Sequence, residues 1–204
     1  MPDIFQRSWD RITLALGANG LTGEGELLLQ CYAESHRKYH SIQHLEECLR
    51  WFELASTLAE RPAEIEAALW FHDAIYDLHG ADNEARSADL ARLVLVKAGV
   101  SCQVVERVVQ LVLATQHAHV PVLPDTQLLV DIDLSILGAI PLRFAEYEQQ
   151  IRDEYAHIPG PVFRFKRRQI LASFLERPRL YMTDFFNERL EMQARINLKQ
   201  AIHA

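Results

Sequence analysis

Cysteine is scarce. Cys31, Cys48 and Cys102 are widely spaced in 204 residues and form no CxxC pair. They read as buried free thiols in a reducing compartment. Positive charge is in deficit: 21 Lys and Arg stand against 28 Asp and Glu, for a net charge of -7 and a pI near 5.7. With no basic surplus to displace counterions, a nucleic-acid partner is not expected. A long apolar run is missing as well. The longest uncharged stretch, Val108 to Pro124, is interrupted by Gln, His and Pro and does not span a bilayer. Asp3 and Asp10 stand where a secretory leader would be basic and then apolar. These absences lead to the expectation of a soluble cytoplasmic protein with no membrane partner. Nothing in the composition sets an oligomeric state.

Strand-like alternation is also lacking, and helical periodicity runs from end to end. Asp3 to Leu16 reads as a first helix, stopped by Gly17 and Gly20. Glu24 to His36 reads as a second. Ser41 is placed to cap a third, which runs to about Ala59. Pro62 suits the first turn of a fourth, expected to run on through His72-Asp73 to Gly80. Asp82-Asn83-Glu84 opens a fifth, which Gly99 ends, and Ser101 caps the next, to about Thr115. Pro121 and Pro124 make His117 to Asp125 a loop. Asp125 is placed to cap a helix over Thr126 to Leu137, followed by Gly138. Pro141 starts another, Pro159-Gly160-Pro161 breaks the chain before Val162 to Arg177, and a last helix follows Thr183. The expected fold class is all-α, a single domain over 1–204 with eight to ten helices packed as a bundle.

Within this frame, Phe71-His72-Asp73 stands out. It sits in an apolar helix-patterned stretch in which Ile65, Leu69, His72 and Tyr76 share one stripe. Asp73 points about 100° further round. A charge buried without compensation costs several kcal/mol, so the pair asks for a partner, and a divalent cation is the simplest. The plainer alternative is a core histidine beside a solvent-facing aspartate. His44 lies 28 residues earlier, and Asp131 and Asp133 stand in the nearly all-apolar Leu128 to Leu137. Histidine with carboxylate suits Mn, Fe, Ni, Co or Zn better than Ca.

In order and in surrounding letters, this set resembles the HD superfamily of metal-dependent phosphohydrolases, and within it a small bacterial family of predicted members. Arg37-Lys38-Tyr39-His40-Ser41-Ile42-Gln43-His44-Leu45 resembles that family's first-ligand segment. Phe71 to Asp77, with Asp82-Asn83-Glu84 and Ser87, resembles its central motif. Val130 to Gly138 resembles its last ligand segment, and the similarity continues through Ile151 to Tyr155 and Ala194 to Leu198. The resemblance implies an all-α fold and one bound divalent ion (Mn, Fe, Ni, Co, Zn or Mg), held by His44, His72, Asp73 and one of the two later acids. Those acids point about 200° apart on a helix. The apolar side chains average near Asp133, so Asp133 is the expected ligand, while Asp131 could orient a ligand from behind or take the fourth place itself.

Other residues are candidates for the chemistry. His40 is either a substrate-facing or supporting histidine, or packs with Tyr39. His117 and His119 are either exposed residues near a helix C-terminus, or contact substrate or a second ion. Arg37, Lys38, Arg152 and Arg167 are the cations available to hold phosphate oxygens, with solvated charges or ion pairs as the alternative. Glu84 is either a helix-start acid or a general base. Tyr76 is expected to pack, His79 to be a turn residue, and His157 and His203 to lie on the surface. The expected function is phosphohydrolysis, with a nucleotide or small phosphorylated metabolite as substrate and catalytic roles for His40, Glu84, Arg37 and Arg152. Two rivals are a binuclear iron oxygenase-type enzyme, with His117 and His119 as the extra donors, and a regulatory module that binds nucleotide or metal without turnover.

Overall fold

In the computed structural model, which describes residues 4–19, 21 and 23–203, the chain is all helical. The described residues form α1 (Ile4–Ala15), α2 (Glu24–Tyr32), α3 (Ile42–Ala55), α4 (Pro62–Phe71), α5 (Asn83–Lys97), α6 (Cys102–Ala114), α7 (Pro124–Asp133), α8 (Pro141–Glu154), α9 (Gly160–Leu175) and α10 (Asp184–His203). Short 3-10 turns follow α3 at Ser56–Leu58 and α7 at Leu134–Gly138. Asp3 and Gly20, expected at the two ends of the first helix, lie outside the described residues.

The helix stops are local chemistry. Gly99 adopts φ 79°, a left-handed conformation that costs glycine little. It closes α5 with bonds from Gly99 N to Val96 O (3.0 Å) and Val100 N to Leu95 O (3.1 Å), a double closure that satisfies carbonyls otherwise left bare. Gly17 ends α1 in the same way at φ 61°.

The centre of the bundle is α4. Every residue from Glu64 to Phe71 is buried, as expected for a helix apolar nearly all round. It packs against α1, α3, α5, α6 and α7. Trp70 meets Trp9 edge-on at 4.9 Å and donates from Nε1 to Ser8 Oγ at 2.8 Å. Its two glutamates are paired outward, Glu64 with Arg107 through two bonds of 2.6 and 2.7 Å and Glu66 with Arg11. Pairing offsets the desolvation that would otherwise exclude them.

Several boundaries differ from the sequence pattern. The fourth helix stops at Phe71 rather than near Gly80, so His72 is its capping residue. The second helix stops at Tyr32 and not His36. Ser41 and Ser101 occupy N-cap positions without a side-chain bond. Asp125 does not cap its own helix. Its carboxylate instead accepts from the N–H groups of Glu60 (2.7 Å) and Arg61 (3.0 Å), just before α4. All three cysteines are free, but only Cys48 is buried; Cys31 is half-buried and Cys102 exposed.

Candidate metal centre

The end of α4 aims the His-Asp pair. His72 N still donates to Ala68 O at 2.9 Å, so its backbone is helical. Its ring Nδ1 lies 2.8 Å from Leu69 O. A carbonyl only accepts, so Nδ1 carries a proton, and Nε2 is the ring nitrogen turned away from the helix, free to face a ligand. Metal-ligating histidines are oriented by this kind of bond. Asp73 N donates to the Tyr32 hydroxyl at 3.3 Å. The carbonyls of Asp73, Ala74 (3.0 Å) and His40 (3.3 Å) accept from the Arg37 guanidinium, which is 5% exposed. Arg37 thus caps the open end of α4 and pairs with Glu34. Its donors are turned to these backbone carbonyls and to Glu34, away from the expected phosphate position.

Three segments bring ligand atoms together. His44, in the first turn of α3, places Nε2 3.1 Å from His72 Nε2. Asp73 Oδ2 is 3.1 Å from His72 Nε2 and 3.6 Å from His44 Nε2. Asp133, the last residue of α7, places Oδ1 3.3 Å from His44 Nε2 and 3.7 Å from His72 Nε2. Donor atoms on one ion with bonds of about 2.1 Å stand about 3.0 Å apart at octahedral angles and about 3.4 Å at tetrahedral ones. Three of the observed separations, 3.1, 3.1 and 3.3 Å, fall in that range, and the other two, 3.6 and 3.7 Å, lie just beyond it. The two carboxylates also carry the charge that a divalent cation matches. The residues present therefore fit a divalent ion. His44, Cys48, His72 and Asp133 form a mostly buried group whose donor atoms lie within 4.8 Å of one another.

The electrostatics match this geometry. Burial raises Asp73, but His72, His40 and His44 outweigh it and hold its carboxyl well below the usual range. Burial is likewise overcome at Asp133, by hydrogen bonds from His117 and His44 and the charge of His72. Burial lowers His72, yet Asp73 and Asp133 push it up to about 9. Both acids are thus ionised. The histidines form the inner wall, with side chains 3% and 1% exposed, while Asp73 and Asp133 keep 15% and 12% and face the mouth.

His117 joins them. Its Nε2 lies 3.0 Å from Asp133 Oδ2, and its Nδ1 is buried with no partner among the described residues. It is also the one described non-glycine residue at positive φ, 54°, a conformation of the kind that gathers at functional sites. Cys48, one turn after His44, has Sγ 3.8 Å from both His44 ring nitrogens. Burial pushes its thiol well up, so without an ion it is neutral. The His-x-x-x-Cys spacing within one helix was the available sequence signal for it.

His40 lies beside the cluster. Its ring stacks on Tyr76 at 4.2 Å, and Nδ1 lies 2.8 Å from Glu154 Oε2. Glu154 Oε1 accepts from the N–H groups of Lys38 (2.8 Å), Tyr39 (2.8 Å) and His40 (3.0 Å), and Oε2 also accepts from the Tyr76 hydroxyl (3.2 Å). Tyr76 thus packs and also bonds. In the segment from Ile151 to Tyr155, then, Glu154 reaches the site and Arg152 does not. Arg152 donates to Tyr155 O and Ile158 O and stacks on Phe163.

The remaining candidates lie elsewhere. Asp131 is wholly buried and accepts from Met182 N (2.8 Å), Thr183 N (2.7 Å) and Thr183 Oγ1 (2.7 Å). It holds the start of α10, and none of its hydrogen bonds goes to the cluster. Burial pushes it up to about 6 although those three donors pull it down. Lys38 Nζ donates to Ser35 O, and Arg167 pairs with Glu148 over the Tyr147 ring. Glu84 stands in the first turn of α5 and makes no bond to the cluster. Asn83 and Ser87 hold the loop after Asp73, through Asp77 and Ile75. His119 is exposed, and His79 meets His157 at 4.7 Å. Comparison with family models, with curated proteins and with solved structures returned no match, so the reading of this centre rests on its own residues.

Proposed function

We propose that the protein is a metal-dependent phosphohydrolase of the HD type, holding one divalent ion through His44, His72, Asp73 and Asp133. The observation that carries this reading is the convergence of His44, His72 and Asp133 from three helix ends, with Nε2 atoms 3.1 Å apart and both carboxylates within 3.7 Å of them. The resemblance of the segments around these residues to the HD superfamily supports it. A divalent ion bound there supplies an acidified water and Lewis-acid pull on a phosphoryl oxygen.

The chain's own residues supply the rest. Substrate enters on the side of Asp73 and Asp133, since the histidines are closed off by the core. His40 gives its Nδ1 proton to the bond with Glu154, and its Nε2–H can protonate a leaving oxygen. Asp73 and Glu154 raise His40 against the effect of burial, which favours that protonated form. Phosphate oxygens need a cation. Among the described residues Arg177 has no acidic partner, and its Nη2 donates to His117 O at 3.2 Å. Arg177 takes the role first expected of Arg37. The substrate class is a nucleotide or small phosphorylated metabolite.

The test is a screen of protein stripped with chelator and reloaded with Mn, Fe, Ni, Co, Zn or Mg, against a panel of phosphomonoesters and phosphodiesters. The expected result is about one ion per chain, ion-dependent phosphate-ester hydrolysis, and none in Asp133→Ala. A fully loaded protein that turns over no ester with any ion would overturn the reading in favour of a non-catalytic binding module. His117 gives the binuclear reading one extra donor. His119, its other expected donor, is exposed, so a single ion is the better reading.

A further inference from the structure

A cleft of about 640 Å³ lies between α8, α9 and α10, and none of its lining residues belongs to the His and Asp cluster. Clefts that hold drug-sized ligands run from about 300 to 1,000 Å³. Pro141, Phe144 and Ala145 give it an apolar side. Its charged wall is Arg152, Arg164, Arg167 and Arg168, with Glu148 as the one acid. Four guanidinium groups less one carboxylate leave a local charge of +3, in a chain whose net charge is -7.

That surplus is not internally neutralised. Glu148 is taken by Arg167. Arg152 is bonded to backbone carbonyls and has no acidic partner, and Arg164 and Arg168 make no hydrogen bond or ion pair among the described residues. Arg167 Nε is buried with no hydrogen-bond partner among the described residues, in a side chain 12% exposed. The helix bearing three of these arginines also bears Lys166 and has no acidic residue in Gly160–Leu175. It begins at the cleft with Gly160, with no capping side chain and no acid in its first turn. Its dipole adds to the positive field there. Like charges gathered on one wall repel, and an anion removes that cost.

The geometry points to a second ligand site in this cleft, for a small phosphorylated molecule with an apolar body, of which a mononucleotide is the simplest form. A phosphate dianion matches a surplus of this size better than a single carboxylate does, and guanidinium forks bind it through paired bonds. None of the site's lining residues is among the proposed metal ligands. Arg167 also lines the cleft of about 410 Å³ that His40 opens onto, so the two regions share one side chain.

The test is calorimetric titration of the full chain with adenosine 5′-monophosphate and with inorganic phosphate. Chelator is present throughout, so that no divalent ion supports binding at the proposed catalytic centre. Wild type, Asp133→Ala and the double variant Arg164→Ala/Arg168→Ala are compared. Both arginines are exposed on α9, so the double variant should fold, and circular dichroism checks this. The expected result is equal binding of the mononucleotide by wild type and Asp133→Ala, weaker binding of inorganic phosphate, and a loss of roughly tenfold or more in the double variant. Unchanged affinity in the double variant, loss of binding in Asp133→Ala, or no binding by wild type would each overturn it. So would binding of a single-stranded oligonucleotide that depends on Arg164 and Arg168 when the mononucleotide does not bind.

Discussion

Asp131 and Asp133 stand two positions apart on α7 and do different work. Asp133 Oδ1 faces His44 and His72, whereas Asp131 accepts three bonds at the start of α10. Asp133→Ala is therefore expected to lower metal affinity by more than about 100-fold, beyond the loss typical of a supporting residue, while leaving the fold stable. Asp131→Ala should keep the metal and destabilise the protein by about 1–3 kcal/mol, because it leaves N–H groups unpaired. Metal titration and urea unfolding on both variants check this; metal loss in Asp131→Ala with retention in Asp133→Ala would reverse the assignment. Helical phase in the sequence pointed to Asp133, though on the premise that the ligand is the more inward acid. In fact Asp131 is the more deeply buried of the two. Residue type and spacing exposed the ligand candidates, but not which polar atoms were already engaged. Arg37 follows that rule. It is close in sequence to His40 and His44, yet its guanidinium is turned to carbonyls.

At the scale of elements, the site depends on where helices stop. The apolar pattern continues past Phe71, so periodicity alone carried α4 too far; the stop is made by Tyr32 and Arg37, which reach it from 36 or more residues away in sequence. Such long-range capping leaves no local signal. The same is true of Glu154, the last residue of α8, which clamps the turn from Lys38 to His40. Burial raises Glu154, but His40 and the backbone N–H groups overcome it and hold the carboxyl at about 2, from an ordinary 4.5. A depressed carboxylate contributes stability that is complete above its unfolded value and is lost as pH falls through its folded value. The window is therefore about pH 4.5 down to about 2, and the contribution is up to about 3 kcal/mol. Glu154→Gln should be less stable than wild type at pH 7, and the gap in urea midpoint should close across that window. A gap that stays constant with pH would show that the ionised carboxylate is not what holds the turn.

On the scale of the whole molecule, the all-α class was legible because helical periodicity recurs along the chain and strand-like alternation is lacking. No helix among the described residues is long and apolar enough to cross a membrane. What composition concealed is the distribution of charge. An overall excess of acid hides both a basic helix, α9, and two carboxylates concentrated at one centre. That centre joins α3, the end of α4 and the end of α7, so an ion bound there crosslinks segments up to 89 residues apart, His44 to Asp133. The unfolded chain holds no such arrangement, and binding to the folded state alone adds RT ln(1 + [L]/Kd) to stability. At about 1,000 times Kd this is about 4 kcal/mol. A kilocalorie shifts the midpoint of a domain this size by about 2–4 °C, so metal loading should raise it by roughly 8–16 °C. His72→Ala removes one proposed ligand and the bond to Leu69 O but leaves Trp70, Phe71 and the rest of α4 in place. It should fold, with the metal-dependent rise reduced to a few degrees or none. Calorimetric melting of both proteins, stripped and metal-loaded, decides it: an equal rise in wild type and His72→Ala would locate the stabilising ion away from this cluster.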